Sequence, residues 1–289
     1  MSSPFILSYF DPPEALSRHL LATFFFRSEQ PEIFDRHPGA LGQFLIVAEG
    51  TGVVHFANHS DHFAPGAYMF CGFSRSVELE INGPWVNIGA SLSPLGWAAL
   101  TGASASQHYD RVRPADMFLG QESRDFTGDL IARYCSGRLD GESACHEVAD
   151  WLSRRLGQIA HRHEKVIEQT IEWLGTSLNP PVDTLFARLG YSRRQGERLV
   201  EQYFGLPPAA LARKFRAVRA AALLSDGSLS DEAEAEIADA FVDQSHMIRE
   251  IRHFCGFTPS RLGGPDDPIF HVLIRLKNLD RLEQFRAIG

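Results

Sequence analysis

The stretch from Val182 to Leu262 constrains the chain most, because its apolar residues repeat at helical spacing in two similar blocks joined by one longer helix. In the first block Leu185, Leu189, Leu199 and Tyr203 recur on either side of Gly190, whose missing Cβ suits a tight turn between two short helices. Ser192 stands at an N-cap position with Gln195 three residues on, a capping-box pattern that leaves the amides of the first turn pointing outward. The second block repeats the plan: Ile237 and Phe241 supply core, Asp243 caps, and Ile248, Ile251 and Phe254 mark the buried side of the helix that follows. Gly256 and then Thr258-Pro259 stop that helix. The connecting segment Pro208 to Leu224 opens with Pro in its first turn and carries Leu211, Phe215, Val218 and Ala222 on one stripe; its 17 residues span roughly 25 Å as a helix.

This arrangement displays polar side chains at two exposed helix ends. Arg193, Arg194, Gln195 and Arg198 stand at the first; Gln244, Ser245, His246 and Arg249 stand at the second, with Arg252 further along the same helix. Arginine pairs with guanine and glutamine with adenine through two hydrogen bonds each, which is the chemistry a helix entering a DNA major groove requires. The formal net charge of −8 hides a division. Residues 1 to 160 hold 11 Lys+Arg against 18 Asp+Glu, whereas 188 to 219 hold eight basic residues against two acidic ones. Phosphate attraction follows such local fields rather than the molecular sum.

The run SRRQ-ERL, the FGLPP turn, the linker helix and above all DQSHMIREIRHFCGFTPSRL resemble the DNA-binding domain of AraC/XylS-type transcription regulators. The resemblance covers about 80 residues. It implies a bipartite domain whose two recognition helices enter successive major grooves of a double-stranded operator, with Arg194, Gln195, Arg198, Gln244, Ser245 and Arg249 as base readers. Three departures stand out. Gly196 sits where the family has a buried Leu, which predicts a void and a helix weakened by about 1 kcal/mol. Ala240 replaces the Gly that makes the second turn, which predicts a strained or differently shaped turn. The helix before it, with Glu232, Glu234 and Glu236, is strongly acidic.

At 289 residues the chain predicts two domains of ordinary size. The longest apolar runs, such as Leu20 to Phe26, are far below the ~20 residues of a membrane span, and no secretory leader opens the chain, so a cytoplasmic location without membrane association is expected. Cys71, Cys135, Cys145 and Cys255 form no CxxC pair and read as buried, reduced thiols.

To about Phe126 the chain is rich in Phe, Gly and Pro, with short apolar runs broken by turn residues. FLIVAEG, GVVHFAN, AYMFCGF, VELEIN and PWVNIGASL are the expected strands, separated at Gly50 to Gly52, Asn58 to Asp61, Pro65-Gly66, Ser74 to Ser76 and Gly83-Pro84. Short antiparallel strands of this kind predict a small barrel or sandwich. The segment resembles the cupin-like sensor domains that open some AraC-type regulators. A metal-dependent cupin needs a His-x-His pair, a Glu and a later His, and the cluster His55, His59 and His62 lacks that spacing, so no metal or other cofactor is expected. No G-x-S-x-G elbow or P-loop occurs and no catalytic residues are predicted. Among the aromatics, Phe44, Phe56, Phe70 and Trp85 are candidates to line an effector cavity, with plain core as the alternative.

From about Asp125 to Ser177 the pattern turns helical, with one stripe of Val148, Leu152, Leu156 and Ile159 and another of Val166, Thr170, Ile171 and Leu174. The first stripe has two readings, a dimer contact as in relatives or packing on its own barrel. After TPSRL, GGPDDP makes a joint to IFHVLIRLKNLDRLEQF, a segment unexpected for the family.

The expected fold is therefore α+β in two domains: 1–160, an antiparallel β-barrel or cupin-like sensor and dimerisation domain with a helical end; 161–264, an all-α double helix-turn-helix; and 265–289, a C-terminal extension. The expected function is sequence-specific transcription regulation, as activator or repressor, with double-stranded DNA as partner and a small-molecule effector, RNA polymerase and a second copy of the chain as further candidates. The alternatives are a cupin-type metal-dependent enzyme fused to a DNA-binding tail, and a degenerate interaction module in which Gly196 and Ala240 have cost DNA affinity.

Overall fold

The computed structural model describes residues 5–225 and 229–261; the extension 265–289 lies outside the described residues. The chain forms two compact units. The first comprises the chain up to Asp35, Leu41–Phe73 and Glu78–Ile159; the second runs on from Ala160 and takes in Arg36–Ala40 and Ser74–Val77.

The first unit is built on eight strands: β1 (Phe5–Phe10), β2 (Leu20–Ser28), β3 (Glu32–His37), β4 (Gln43–His55), β5 (Ser60–Phe63), β6 (Gly66–Phe70), β7 (Val77–Leu92) and β8 (Val112–Pro114). They make one sheet in the order β1-β2-β7-β4-β6-β8, with β3 on β7 and β5 on β4. The pairs β1-β2, β2-β7, β4-β7, β4-β5, β4-β6 and β6-β8 are antiparallel. The expected barrel does not close, because this path has two ends. Strand β8 is three residues long and finishes in Pro114, which has no N–H with which to extend a ladder.

Two expected breaks are not breaks. Gly50 to Gly52 falls inside β4, whose pairing with β7 shifts register at Val47/Glu49 and again at Glu49/Thr51, so extra residues are absorbed as bulges. Gly83-Pro84 likewise lies inside the 16-residue β7. The turns at Asn58, Pro65-Gly66 and Ser74 to Ser76 do separate strands. Strands β1, β2 and β3 were not among the expected ones, although Phe24, Phe25 and Phe26 run through β2.

One face of the sheet is covered by helices. Helix α1 (Pro94–Thr101) starts at Ser93, whose side chain accepts from the Gly96 N–H, and ends at Gly102 with φ 62°. Short helices α2 (Ala105–His108) and α3 (Asp116–Leu119) lead to α4 (Gln121–Cys135) and α5 (Gly141–Ser153). Phe44, Ile46, Ile88 and Leu92 of the sheet pack with Trp97, Leu130, Val148, Trp151 and Leu152 of the helices. Burying each such side chain contributes about 1.5–3 kcal/mol. The stripe read from Val148 is thus turned onto its own sheet. It is also shorter than expected: α5 ends at Ser153, where Arg155 donates to the Trp151 carbonyl (3.1 Å) and lays its guanidinium 3.7 Å over the Trp151 ring. Leu156 and Ile159 therefore follow the helix rather than continue it.

Cys71 and Cys145 are buried, and burial pushes both thiols up to about 12; Cys255 is buried and raised in the same way. Cys135 is exposed, contrary to expectation, because it is the last residue of α4. Among the described residues no helix is long and apolar enough to cross a membrane.

The second unit contains α6 (His161–Leu174), α7 (Val182–Leu189), α8 (Arg193–Phe204), α9 (Pro208–Ser225), α10 (Asp231–Ala240) and α11 (Gln244–Cys255), followed by a 3-10 turn at Pro259–Arg261. Val166, Thr170, Ile171 and Leu174 of α6 are all buried. Helix α9 is the spine: it packs against α8, α10 and α11 and buries Leu211, Phe215, Val218 and Ala222. Its cations also close neighbouring helices, since Arg219 donates to the carbonyls of Leu174 (3.2 Å) and Ser177 (2.9 Å) just where α6 ends.

Candidate nucleic-acid interface

The first helix pair, α7 and α8, turns at Gly190, which sits at φ 66° in the left-handed region that glycine enters without steric cost. Ser192 caps α8 by accepting from the Gln195 N–H (3.4 Å). Removing such a cap costs about 1 kcal/mol. Leu185, Leu189, Leu199 and Tyr203 are buried, so α8 is held by one face. The opposite face presents Arg194, Gln195 and Arg198, all exposed.

Arg193 is exposed too but committed. Its Nη1 donates to Asp183 Oδ1 (3.0 Å), its Nε to Glu197 Oε1 (3.3 Å), and its guanidinium lies 5.2 Å from the Phe186 ring centre. Of the four polar residues expected at this end, three are brought together free of ion pairs among the described residues, and Arg193 is ion-paired with Asp183 and Glu197.

No void opens at Gly196. A Cβ built there would stand 2.9 Å from Phe186 Cδ1 and 3.5 Å from Leu189 Cδ1, so the ring of Phe186 fills the space that a leucine at 196 would take. The expected cavity is absent because α7 supplies the missing volume.

At the second pair the turn is made without a left-handed residue. Helix α10 ends at Ala240, Phe241 follows at φ −123°, and the Ala240 carbonyl accepts from Arg216 Nη1 (3.2 Å) of α9. An arginine from a third helix thus satisfies a carbonyl that a glycine C-cap arrangement would satisfy from the backbone. Asp243 then caps α11, accepting from the His246 N–H (2.7 Å), and Gly256 closes it at φ 91°. Gln244, Ser245, Arg249 and Arg252 are exposed. His246 is turned back toward the protein: its Nε2 is 3.3 Å from Glu250 Oε1, and its Nδ1 accepts from the Val242 N–H (3.4 Å). Val242, in the turn, is 88% exposed.

Beneath this helix lies a charged cluster with no counterpart in the sequence reading. Glu250 is 3% exposed and meets Arg213, Arg216 and His246. Burial by itself raises its carboxyl, but hydrogen bonds from Arg213 and Arg216 outweigh that and hold it below the usual carboxylate range. On the first pair, His163 of α6 places Nδ1 2.5 Å from the Tyr203 hydroxyl. Burial, then the charges of Arg162 and Arg198, lowers its pKa and favours the neutral ring. The acidic residues of α10 sit mostly in solvent, with Asp231, Glu232 and Glu234 in its first turn, where they complement the helix dipole. Glu236 is used internally and accepts from the Leu178 N–H (2.9 Å).

In the first unit, the four candidate effector-lining residues do not form one group. Trp85, Phe63, Phe70, Phe73 and Phe56 make a chain of ring contacts, with centroids 5.4, 5.8, 5.8 and 5.3 Å apart in that order. Phe44 lies elsewhere, stacked 5.9 Å from Trp151 in the helix-covered core. His55 and His59 have separate neighbours, Ser60 Oγ at 2.9 Å and the Asp110 carbonyl at 3.1 Å. Among the described residues no cluster of three or more His, Cys, Asp or Glu is arranged to hold a metal ion.

Residues 185–263 match the family model described as a helix-turn-helix domain. No curated protein matches the sequence. Among solved structures the chain is similar to ToxT from Vibrio cholerae O395, at 8% identity and a TM-score of 0.45 over 89% of this chain and 96% of that one. Unsaturated fatty acid bound ToxT from Vibrio cholerae strain SCE256 aligns at 8% and 0.43 over 90% and 94%. The AraC-like transcriptional activator CuxR aligns at 13% and 0.37 over 76% and 81%. With the family match falling on both capped helix pairs and the spine between them, residues 185–263 are a helix-turn-helix domain of the AraC type.

Proposed function

We propose that the protein is a sequence-specific DNA-binding transcription regulator in which residues 161–264 read a double-stranded operator and residues 1–160 sense and dimerise. The observation that carries this reading is the helix-turn-helix match over 185–263, within which Arg194, Gln195, Arg198, Gln244, Ser245 and Arg249 stand exposed on two capped helices packed on one spine. Arg193 and His246 have smaller parts in base reading, being held by Asp183 and Glu197 and by Glu250. Arg252, in the last turn of α11, is assigned to a phosphate contact in this reading. Another side chain meets Gly196 and the Ala240 carbonyl, which favours DNA reading over the degenerate interaction module.

Control by a small molecule at the first unit belongs to the same proposal, with the ring chain of Phe56, Phe70 and Trp85 as the candidate contact. Such an effector acts only if it binds the DNA-competent and DNA-incompetent arrangements unequally. RNA polymerase and a second copy of the chain are the proposed protein partners, in the cytoplasm, and no catalytic step is assigned. The test is binding of the purified protein to genomic fragments across a salt series. A steep loss of affinity with added salt is expected from phosphate contacts, and no binding even at low salt would overturn the reading.

A further inference from the structure

Helix α11 buries a carboxylate that packing does not call for. The other residues it buries, Ile251, Phe254 and Cys255, are apolar, yet Glu250 lies among them at 3% exposure. Each of its oxygens is occupied. Oε1 accepts from Arg213 Nε (2.8 Å) and lies 3.3 Å from His246 Nε2; Oε2 accepts from Arg216 Nε (2.9 Å) and Nη2 (2.6 Å). The remaining Arg216 nitrogen, Nη1, donates to Asn179 Oδ1 (2.8 Å) and to the Ala240 carbonyl (3.2 Å). One guanidinium thus joins the segment before α7, the end of α10 and the middle of α11.

Taking two charges out of water is costly, and an apolar pair of similar volume holds a core at least as well. What a planar guanidinium on a carboxylate supplies and an apolar pair does not is a single geometry, fixed in both distance and rotation. The rotation matters here. Successive residues on a helix point about 100° apart, so a small roll of α11 on α9 carries Gln244, Ser245 and Arg249 away from a base edge without unpacking the helix.

We infer that Glu250 is a positioning residue for DNA reading: by gathering Arg213 and Arg216 of α9 it sets the roll of α11 on α9, and with it the direction in which Gln244, Ser245 and Arg249 face. This rests on the reading of α11 as a helix that enters DNA. Glu250 touches no base itself; it acts through the helix that carries it.

The experiment uses the full-length protein and the genomic fragments that the wild type selects, each half-site randomised separately, with Arg249→Ala identifying the half-site that α11 reads. Two variants are compared, Glu250→Gln and the double Arg216→Met/Glu250→Met, which keeps buried volume without needing an ion pair. Each is expected to retain its far-UV circular dichroism. Each should lose roughly tenfold in preference for the half-site of α11, while preference at the other half-site and affinity for random DNA stay within about twofold. Equal losses at both half-sites, or unchanged preference in a folded variant, overturn the inference. A double variant that cannot fold also overturns it, since the pair would then be needed for stability rather than for aim. Should Glu250→Gln alone be unfolded, the double variant decides. If the wild type selects no fragment at low salt, it is the DNA-binding reading that fails.

Discussion

Phe186 on α7 and Gly196 on α8 are complementary: the phenylalanine ring lies where a side chain at 196 would stand, 2.9 Å from the position of its Cβ. The two residues are ten apart in sequence and belong to opposite arms of the first helix pair, so this contact sets how closely the arms approach.

Their complementarity predicts non-additive substitutions. Gly196→Leu alone should destabilise the protein by about 1–3 kcal/mol, because a well-packed site is overfilled. Phe186→Ala alone should also destabilise, by removing the ring that fills the space beside Gly196. The double variant Phe186→Ala/Gly196→Leu should lose clearly less than the sum of the two single losses, since the leucine then enters the volume the ring has left. Urea denaturation of the four proteins measures this coupling; strictly additive losses would show that the two side-chain sites do not share one space.

The same pair shows where sequence reading reaches its limit. Gly196 was legible as a departure, and a void was the natural inference from one position. What fills it is decided by Phe186, whose ring direction no periodicity reports. The two turns differ in the same sense. Gly190 could be read locally, because a left-handed residue is a property of the chain at that point. The turn after Ala240 could not, because its carbonyl is satisfied by Arg216 from another helix. In the first unit, Gly50 to Gly52 and Gly83-Pro84 carry turn chemistry, but the β4–β7 pairing steps over Gly50 and Gly83-Pro84 by a register shift and resumes at Thr51 and Asn82, so neither strand ends there. Helix α1 was missed despite a sequence signal in plain view, Ser93-Pro94 at one end and Gly102 at the other. The buried charge on α11 was beyond reach, since a Glu among Arg residues usually reads as a solvated face.

Breaking the buried pair from one side should cost more than removing both members. Arg216→Met leaves Glu250 buried with a partner missing and the Ala240 carbonyl uncapped, and should destabilise by about 3–5 kcal/mol. Arg216→Met/Glu250→Met should cost clearly less. Chemical denaturation of both variants at neutral pH makes the comparison, and a double variant worse than the single would show that the two groups do not act as a pair.

Acid should weaken the second unit in two stages. His163 has a folded pKa below its unfolded value of about 6.5, so the unfolded chain takes up the proton first and stability falls as pH drops below that value. Glu250 is held below the unfolded carboxylate value of about 4.3, so its contribution is present above that pH and is lost as pH falls further, through its folded pKa. His253 of α11 is lowered in the same direction as His163 and adds to the first stage. Urea midpoints between pH 7.5 and 5.5 should therefore decline for the wild type and decline less for His163→Gln. Parallel curves would show that burial and the charges of Arg162 and Arg198 do not hold His163 neutral.

The arginines of the first helix pair should separate by what each already touches. Arg198 is exposed with no ion pair among the described residues, and Arg249 is exposed in the same way on α11. Replacing either by Ala should weaken specific binding by roughly 1–3 kcal/mol and relax the base preference at one position, if each reads a base edge. Arg193 differs, since its guanidinium is shared between Asp183 and Glu197. Its Ala variant should lose less affinity and leave the base preference intact, with a small effect on stability because exposed pairs of this kind contribute roughly 0–1 kcal/mol. Binding to selected and to random DNA across a salt series separates the cases. A contact to phosphate lowers both affinities together and reduces the salt slope by about one. A contact to a base lowers only the specific one. Arg198→Ala with equal losses on both kinds of DNA would move that residue from base reading to the backbone, and Arg193→Ala with the larger specific loss would mean that Asp183 and Glu197 release it when DNA arrives.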